Sequence, residues 1–228
     1  MTTAALLVHG FGGDRTVWDP LVPRLEQGGV FASRLALSGH EEDSEALATT
    51  PWTAWLDDMR AGVAELRGRA DRVCLIGYSM GATIGLHALA EHLVDAAVLI
   101  SPSMRVSPAQ RAVVAALTAL RVPSLPRQLV GTGDTGGPPL PVSALATNIA
   151  FKDHARELEL RGPAPTLLLA GADDSVADPD SATEVLRKFG AGTRLVTLAG
   201  GEHSLPDGPL AGQVADLVST FVAEADSV

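Results

Sequence analysis

A single cysteine, Cys74, stands in a chain of 228 residues, so no disulfide can form within it and no cysteine cluster can hold zinc. Positive charge is also scarce: 17 Lys and Arg face 27 Asp and Glu, a formal net charge of -10. The acidic residues are scattered rather than gathered in a tail. Such a field repels phosphate backbones, which argues against nucleic acid and anionic membrane as partners and leaves a small neutral substrate unopposed. Long apolar runs are missing too. The first, residues 4–8, is too short to span a membrane and has no basic leader, so no export signal is read and a cytoplasmic setting is expected. There is no internal repeat and no long low-complexity tract. A dinucleotide loop is absent as well, because Gly10-x-Gly12-Gly13 is followed by Arg15 where the G-x-G-x-x-G pattern would need its next glycine.

What is present suits a globular enzyme. Hydrophobic residues make up 46% of the chain, and an α/β fold of this length commonly forms one core, so a single domain over 1–228 is expected. Short apolar runs recur at residues 4–8, 30–37, 72–76, 96–100, 166–170 and 193–198, each bounded by glycine, proline or small polar residues. They read as strands. Cys74 falls within one of them and reads as a small buried filler rather than a reactive thiol. Between the strands lie stretches with helical spacing, at 18–27, 52–66, 80–92, 180–189 and 209–223. Continuous apolar runs alternating with helices indicate about six mainly parallel strands covered on both faces. Residues 105–162 break this rhythm between the fourth and fifth strands. They hold an alanine-rich helix capped by Ser107-Pro108, a glycine and proline stretch and a weaker helical run, and are read as a small helical lid over the carboxyl ends of the strands.

The most informative stretch is Gly77-Tyr78-Ser79-Met80-Gly81, which leaves the third strand and enters a helix. A serine on so sharp a turn is held with its hydroxyl clear of the sheet, and the crowded backbone demands glycine two residues to either side. A serine hydroxyl is a weak nucleophile near neutral pH, so it needs a base and a group to orient that base. His203 lies in the glycine-rich loop after the last strand and is the best candidate base; His40, His87, His92 and His154 suit surface or structural roles. The orienting carboxylate is sought after the fifth strand, where Gly171-Ala172-Asp173-Asp174 supplies two acids. Asp174 is preferred, with Asp173 left to cap or hydrogen-bond the loop backbone and Asp178 to start the next helix. For the oxyanion, the N–H of Met80 and that of Phe11, in the loop His9-Gly10-Phe11-Gly12-Gly13, are the candidate donors, and His9 is structural. Nucleophile, acid, base and oxyanion loop all fall at strand ends.

These residues resemble the α/β-hydrolase family, and the likeness covers nearly the whole chain. His9-Gly10-Phe11 is similar to its oxyanion loop, Gly77-Tyr78-Ser79-Met80-Gly81 to its nucleophile elbow, Gly171-Ala172-Asp173-Asp174 to its acid turn and Gly201-Glu202-His203 to its histidine loop. Within the family the chain is most similar to small bacterial carboxylesterases and monoacylglycerol-lipase-like enzymes, through Ser38-Gly39-His40 and the helix beginning Trp52-Thr53-Ala54-Trp55. Glu41 departs from that pattern, which has glycine after the loop histidine, and the inserted lid matches no lid we can assign. A serine at the elbow argues against the dehalogenase and epoxide-hydrolase branches, which the resemblance associates with aspartate. The resemblance implies the α/β-hydrolase fold and hydrolysis of carboxylic esters through an acyl-enzyme on Ser79, with no metal or organic cofactor.

Lid residues rich in Ala, Val and Leu, together with Phe11, Met80, Met104 and Leu205, suggest an apolar pocket for an uncharged, small to medium hydrophobic ester. Core packing is the plainer explanation for any one of them. A thioesterase, a carbon–carbon bond hydrolase or a biosynthetic cyclase could use the same three residues, and a non-catalytic member of the fold could use the pocket alone.

Overall fold

The computed structural model describes residues 1–41, 44–130, 137–160, 164–178, 180–189 and 192–225. The glycine-rich part of the insertion at 131–136 and its expected end at 161–162 lie outside the described residues. In chain order, β1 (Thr3–Val8), α1 (Val22–Gln27), β2 (Phe31–Arg34), α2 (Ser44–Thr49), α3 (Trp52–Arg67), β3 (Arg72–Tyr78), α4 (Met80–Ala90) and β4 (Ala96–Ile100) form the first half. The insertion follows, with α5 (Pro108–Ala119), β5 (Ser124–Leu125), α6 (Arg127–Val130), β6 (Leu140–Pro141) and α7 (Val142–Arg156). The chain then returns through β7 (Thr166–Gly171), α8 (Asp180–Phe189), β8 (Thr193–Leu198) and α9 (Ala211–Ala225).

Six strands pair in the order β2-β1-β3-β4-β7-β8, every neighbour parallel. Alternation along each strand explains the unbroken apolar runs. Leu6, Leu75, Leu99 and Leu168 face a core shared with Trp55 and Met59 of α3 and Ile84 of α4. Leu7, Ile76, Val98 and Leu169 face the other side, against Leu25 of α1 and Val218 and Phe221 of α9. Truncating a fully buried leucine in either layer costs about 2–5 kcal/mol. Cys74 is buried there as packing.

Boundaries shift where the physics differs from a simple apolar count. β2 ends at Arg34 rather than at residue 37; Leu37, beyond the strand, is buried in the core from the loop that follows. β3 runs two residues further than its apolar run, to Tyr78, carrying Gly77 into the sheet opposite Val8 and Leu99. In place of a helix over 18–27, a short 3-10 turn capped by Asp14, Arg15–Trp18, ends at Trp18 and α1 begins only at Val22. In the insertion, Ser107 and Gln110 form a reciprocal capping box that starts α5. α5 buries no side chain, whereas α7 buries Phe151 completely against Trp52, Trp55 and His87. Thus α7 anchors the insertion and α5 rides on it.

Candidate active site

All the parts converge at the carboxyl ends of β1, β3, β4, β7 and β8. Ser79 leaves β3 with φ 54° and ψ -111°, a left-handed conformation that costs a non-glycine residue about 1–3 kcal/mol. Its N–H donates to the Ile100 carbonyl at 2.9 Å and its carbonyl accepts from the Thr83 N–H at 3.2 Å, so both neighbouring elements hold the strain. The flanking glycines are required by space. A Cβ on Gly77 would overlap the Gly81 carbonyl, and one on Gly81 would overlap the Val8 carbonyl.

His203 is buried, and its Nε2 lies 3.0 Å from Ser79 Oγ. Its Nδ1–H donates to Asp174 Oδ2 at 2.8 Å. The loop that carries it is fastened by the backbone: Asp173 N–H donates to the Gly201 carbonyl at 2.9 Å, and Ser101 Oγ donates to the His203 carbonyl at 3.0 Å. The second oxygen of Asp174 accepts from the N–H groups of Val176 and Ala177, each at 2.9 Å. Burial opposes ionisation of this carboxyl, but the His203 contact and the two backbone donors outweigh it and hold its pKa below the usual carboxylate value. The acid turn therefore differs from expectation in one respect. Asp173 is exposed and its side chain makes no hydrogen bond among the described residues; the loop-bonding role falls to the other oxygen of Asp174.

The Phe11 N–H donates to no described group, and the Met80 N–H opens α4, where no preceding turn supplies an acceptor. Behind Phe11 lies an aromatic platform. His40 sits 5.2 Å from His9, 5.9 Å from Phe11 and 5.5 Å from Trp55, ring centre to ring centre. Burial pushes His40 down to about 3, with the neighbouring His9 adding to the effect, and it lowers His9 as well. Both rings are therefore neutral packing groups, His9 through an Nδ1–H bond of 2.9 Å to the Gly10 carbonyl. The insertion reaches the same loop through Arg127, which donates to the Gly12 carbonyl at 2.7 Å and to the Pro138 carbonyl at 2.9 Å.

A cavity of about 850 Å³ opens over Ser79 and His203, with Phe11 in its wall. Met80, Met104 and Leu205 are fully buried in the two cores and lie outside that lining, so packing accounts for their side chains. His87 is buried against Phe151, with His154 stacked on it at 5.3 Å. Sequence reasoning missed the polar wall formed by Ser103, Arg105, Asn148 and Lys152. One signal was available, since Lys152 and Lys188 are the only lysines beside 15 arginines. Among the described residues no helix is long and apolar enough to cross a membrane.

A model of the alpha/beta hydrolase family matches residues 5–217. A thermostable monoacylglycerol lipase of Bacillus sp. (strain H-257) is 33% identical over 90 residues, a stretch that makes up 40% of this chain and 36% of that relative. Among solved structures, one of the metagenome-derived lipolytic enzymes LipS and LipT superposes with a TM-score of 0.87 at 22% identity, covering 97% of this chain and 94% of its own. A soluble variant of monoglyceride lipase from Saccharomyces cerevisiae, in complex with a substrate analogue, gives a TM-score of 0.79 at 16% identity, covering 99% of this chain and 87% of its own. At such identities the structural likeness establishes the fold.

Proposed function

The chain belongs to the alpha/beta hydrolase family, and we propose that it is a serine hydrolase of carboxylic esters, with Ser79 as nucleophile, His203 as general base and acid, and Asp174 as the orienting carboxylate. The observation that carries this reading is the unbroken series of hydrogen bonds from Asp174 through His203 to Ser79, three side chains from three strand ends. Ser79 Oγ attacks the ester carbonyl carbon while its proton passes to His203 Nε2. Asp174 keeps the other ring proton on Nδ1 and stabilises the imidazolium that forms. Charge gathers on the carbonyl oxygen, toward which the N–H groups of Phe11 and Met80 are offered; one such donor is worth about 10²–10³-fold in rate. The intermediate expels the alcohol, which takes its proton from His203. The same imidazole then activates a water that releases the acid from Ser79.

Apolar cavity residues such as Val113, Leu129, Leu145 and Ile149 support a hydrophobic substrate body of small to medium size. The Bacillus relative, a monoacylglycerol lipase, points the same way. A fluorophosphonate probe should label the wild-type protein and not Ser79→Ala, and p-nitrophenyl esters should be turned over with an optimum at short to medium acyl chains. Labelling that survives Ser79→Ala would refute the assignment.

A further inference from the structure

α7 turns one face to the cavity, with Leu145, Asn148, Ile149 and Lys152 at helical spacing. The two polar members of that face are not satisfied by the protein. Lys152 Nζ donates to Ser103 Oγ at 2.8 Å, which uses one of its three protons. No carboxylate among the described residues lies within ion-pair distance of it, and the acid next to it in sequence, Asp153, is occupied by Arg111 through hydrogen bonds of 2.5 and 2.7 Å. Asn148 Oδ1 is buried with no partner. Lys152 is half-buried and lines the cavity. Burial, with the Arg111 charge adding to it, brings the amine down to about 8, so it remains mostly cationic at neutral pH. An ammonium held against protein without a counter-charge is costly, and none of the described residues supplies one.

The ammonium is also close to the chemistry. Ser79, Ser103 and Lys152 line the same cavity, and Thr83 Oγ1 bridges the backbone carbonyls of Ser103 and Ser79 at 3.4 and 3.5 Å. A group bound at Lys152 and an ester carbonyl at Ser79 would share that one cavity.

We propose that Lys152, with the hydroxyl of Ser103, forms a subsite for a second, free carboxylate on the ester substrate, whose short alkyl spacer lies against Leu145 and Ile149. The proposal rests on the serine-hydrolase reading of the same cavity and departs from the wholly uncharged substrate expected from sequence, which would leave the ammonium unpaired. The reaction at Ser79 is unchanged; the carboxylate binds and does not react.

The test is titration calorimetry on Ser79→Ala, which cannot turn substrate over. Monoethyl succinate, glutarate and adipate are compared with ethyl butanoate, pentanoate and hexanoate for a carboxylate on the acyl part, and 4-acetoxybutanoate with butyl acetate for one on the alcohol part. At least one monoanion should bind about tenfold or more tightly than its neutral counterpart. That preference should disappear when Lys152→Met is added and persist with Lys152→Arg. Lys152→Gln replaces the methionine variant if melting shows that the latter has unfolded. Equal or weaker binding of every monoanion, or a preference that survives removal of the amine, overturns the subsite. Wild-type labelling and hydrolysis of neutral esters without anion preference would sink the subsite and leave the hydrolase reading standing. Anion preference in binding without labelling or turnover would do the reverse.

Discussion

The floor of the cavity and its roof are built by different means. Around Ser79 the backbone does the positioning: main-chain carbonyls of Ile100, Leu198 and Gly201 fix the elbow and the histidine loop, and glycines stand where chains pass too closely for any side chain. The insertion above is held by side chains, through Phe151 of α7, the Arg111–Asp153 pair and the reach of Arg127 to the Gly12 carbonyl. The difference teaches where variation is tolerated. On the proposed reading, a substitution on the floor moves the reacting atoms, whereas one on the roof changes what the cavity accepts.

That contrast can be broken or sharpened by substitution. The largest effect is expected for Asp174→Asn, which offers His203 the wrong partner and should lower ester turnover by about 10⁴-fold; a loss below tenfold in steady-state assays would mean the carboxylate does not orient the base. The same variant reports on pH. Because the folded carboxyl is held below its unfolded value of about 3.9, ionised Asp174 stabilises the fold above that value, and the contribution is lost as pH falls through the lowered pKa. The melting-temperature gap between wild type and Asp174→Asn should therefore be full at neutral pH and close on acidification below about pH 4. Next in size is Gly81→Ala, whose Cβ would meet the Val8 carbonyl. It should destabilise the protein by about 3–5 kcal/mol in urea unfolding, a large value with an identified steric cause.

Arg127→Ala joins the two regions, since it releases the Gly12 carbonyl beside Phe11. Fluorophosphonate labelling should slow by about ten- to a hundredfold, part of what a lost oxyanion donor costs. An unchanged labelling rate would show that the oxyanion loop holds its shape without the insertion. Smallest of all, Leu120→Ser should change stability by about 0.5 kcal/mol or less, because Leu120 is 75% exposed at the end of α5. A large loss in thermal melts would mean that this surface is covered in the native protein.

Much of this was legible in the chain because the reasons are local. Continuous apolar runs announce strands buried on both faces, and those at 96–100 and 193–198 match β4 and β8 residue for residue. Gly77-x-Ser79-x-Gly81 announces a turn that only small flanking residues permit. The end of β2 was not legible, because Leu37 continues the apolar run while being buried from a loop rather than from the strand. Nor was the loop-bonding role, expected of Asp173 and taken by the second oxygen of Asp174, which depends on where a loop aims two adjacent side chains.

Sequence alone determined the chemistry on offer, a strained serine followed by an acid and a histidine at strand ends, since turn stereochemistry and apolar periodicity act over a few residues. Tertiary structure decided which candidate side chains became core and which became wall: Met80, Met104 and Leu205 went to packing, while Lys152 and Asn148, unremarkable in a helical run, came to face the cavity. The reason is physical. The direction a helix face points is set by the surface on which the helix docks, and α7 docks through Phe151 on residues distant in sequence.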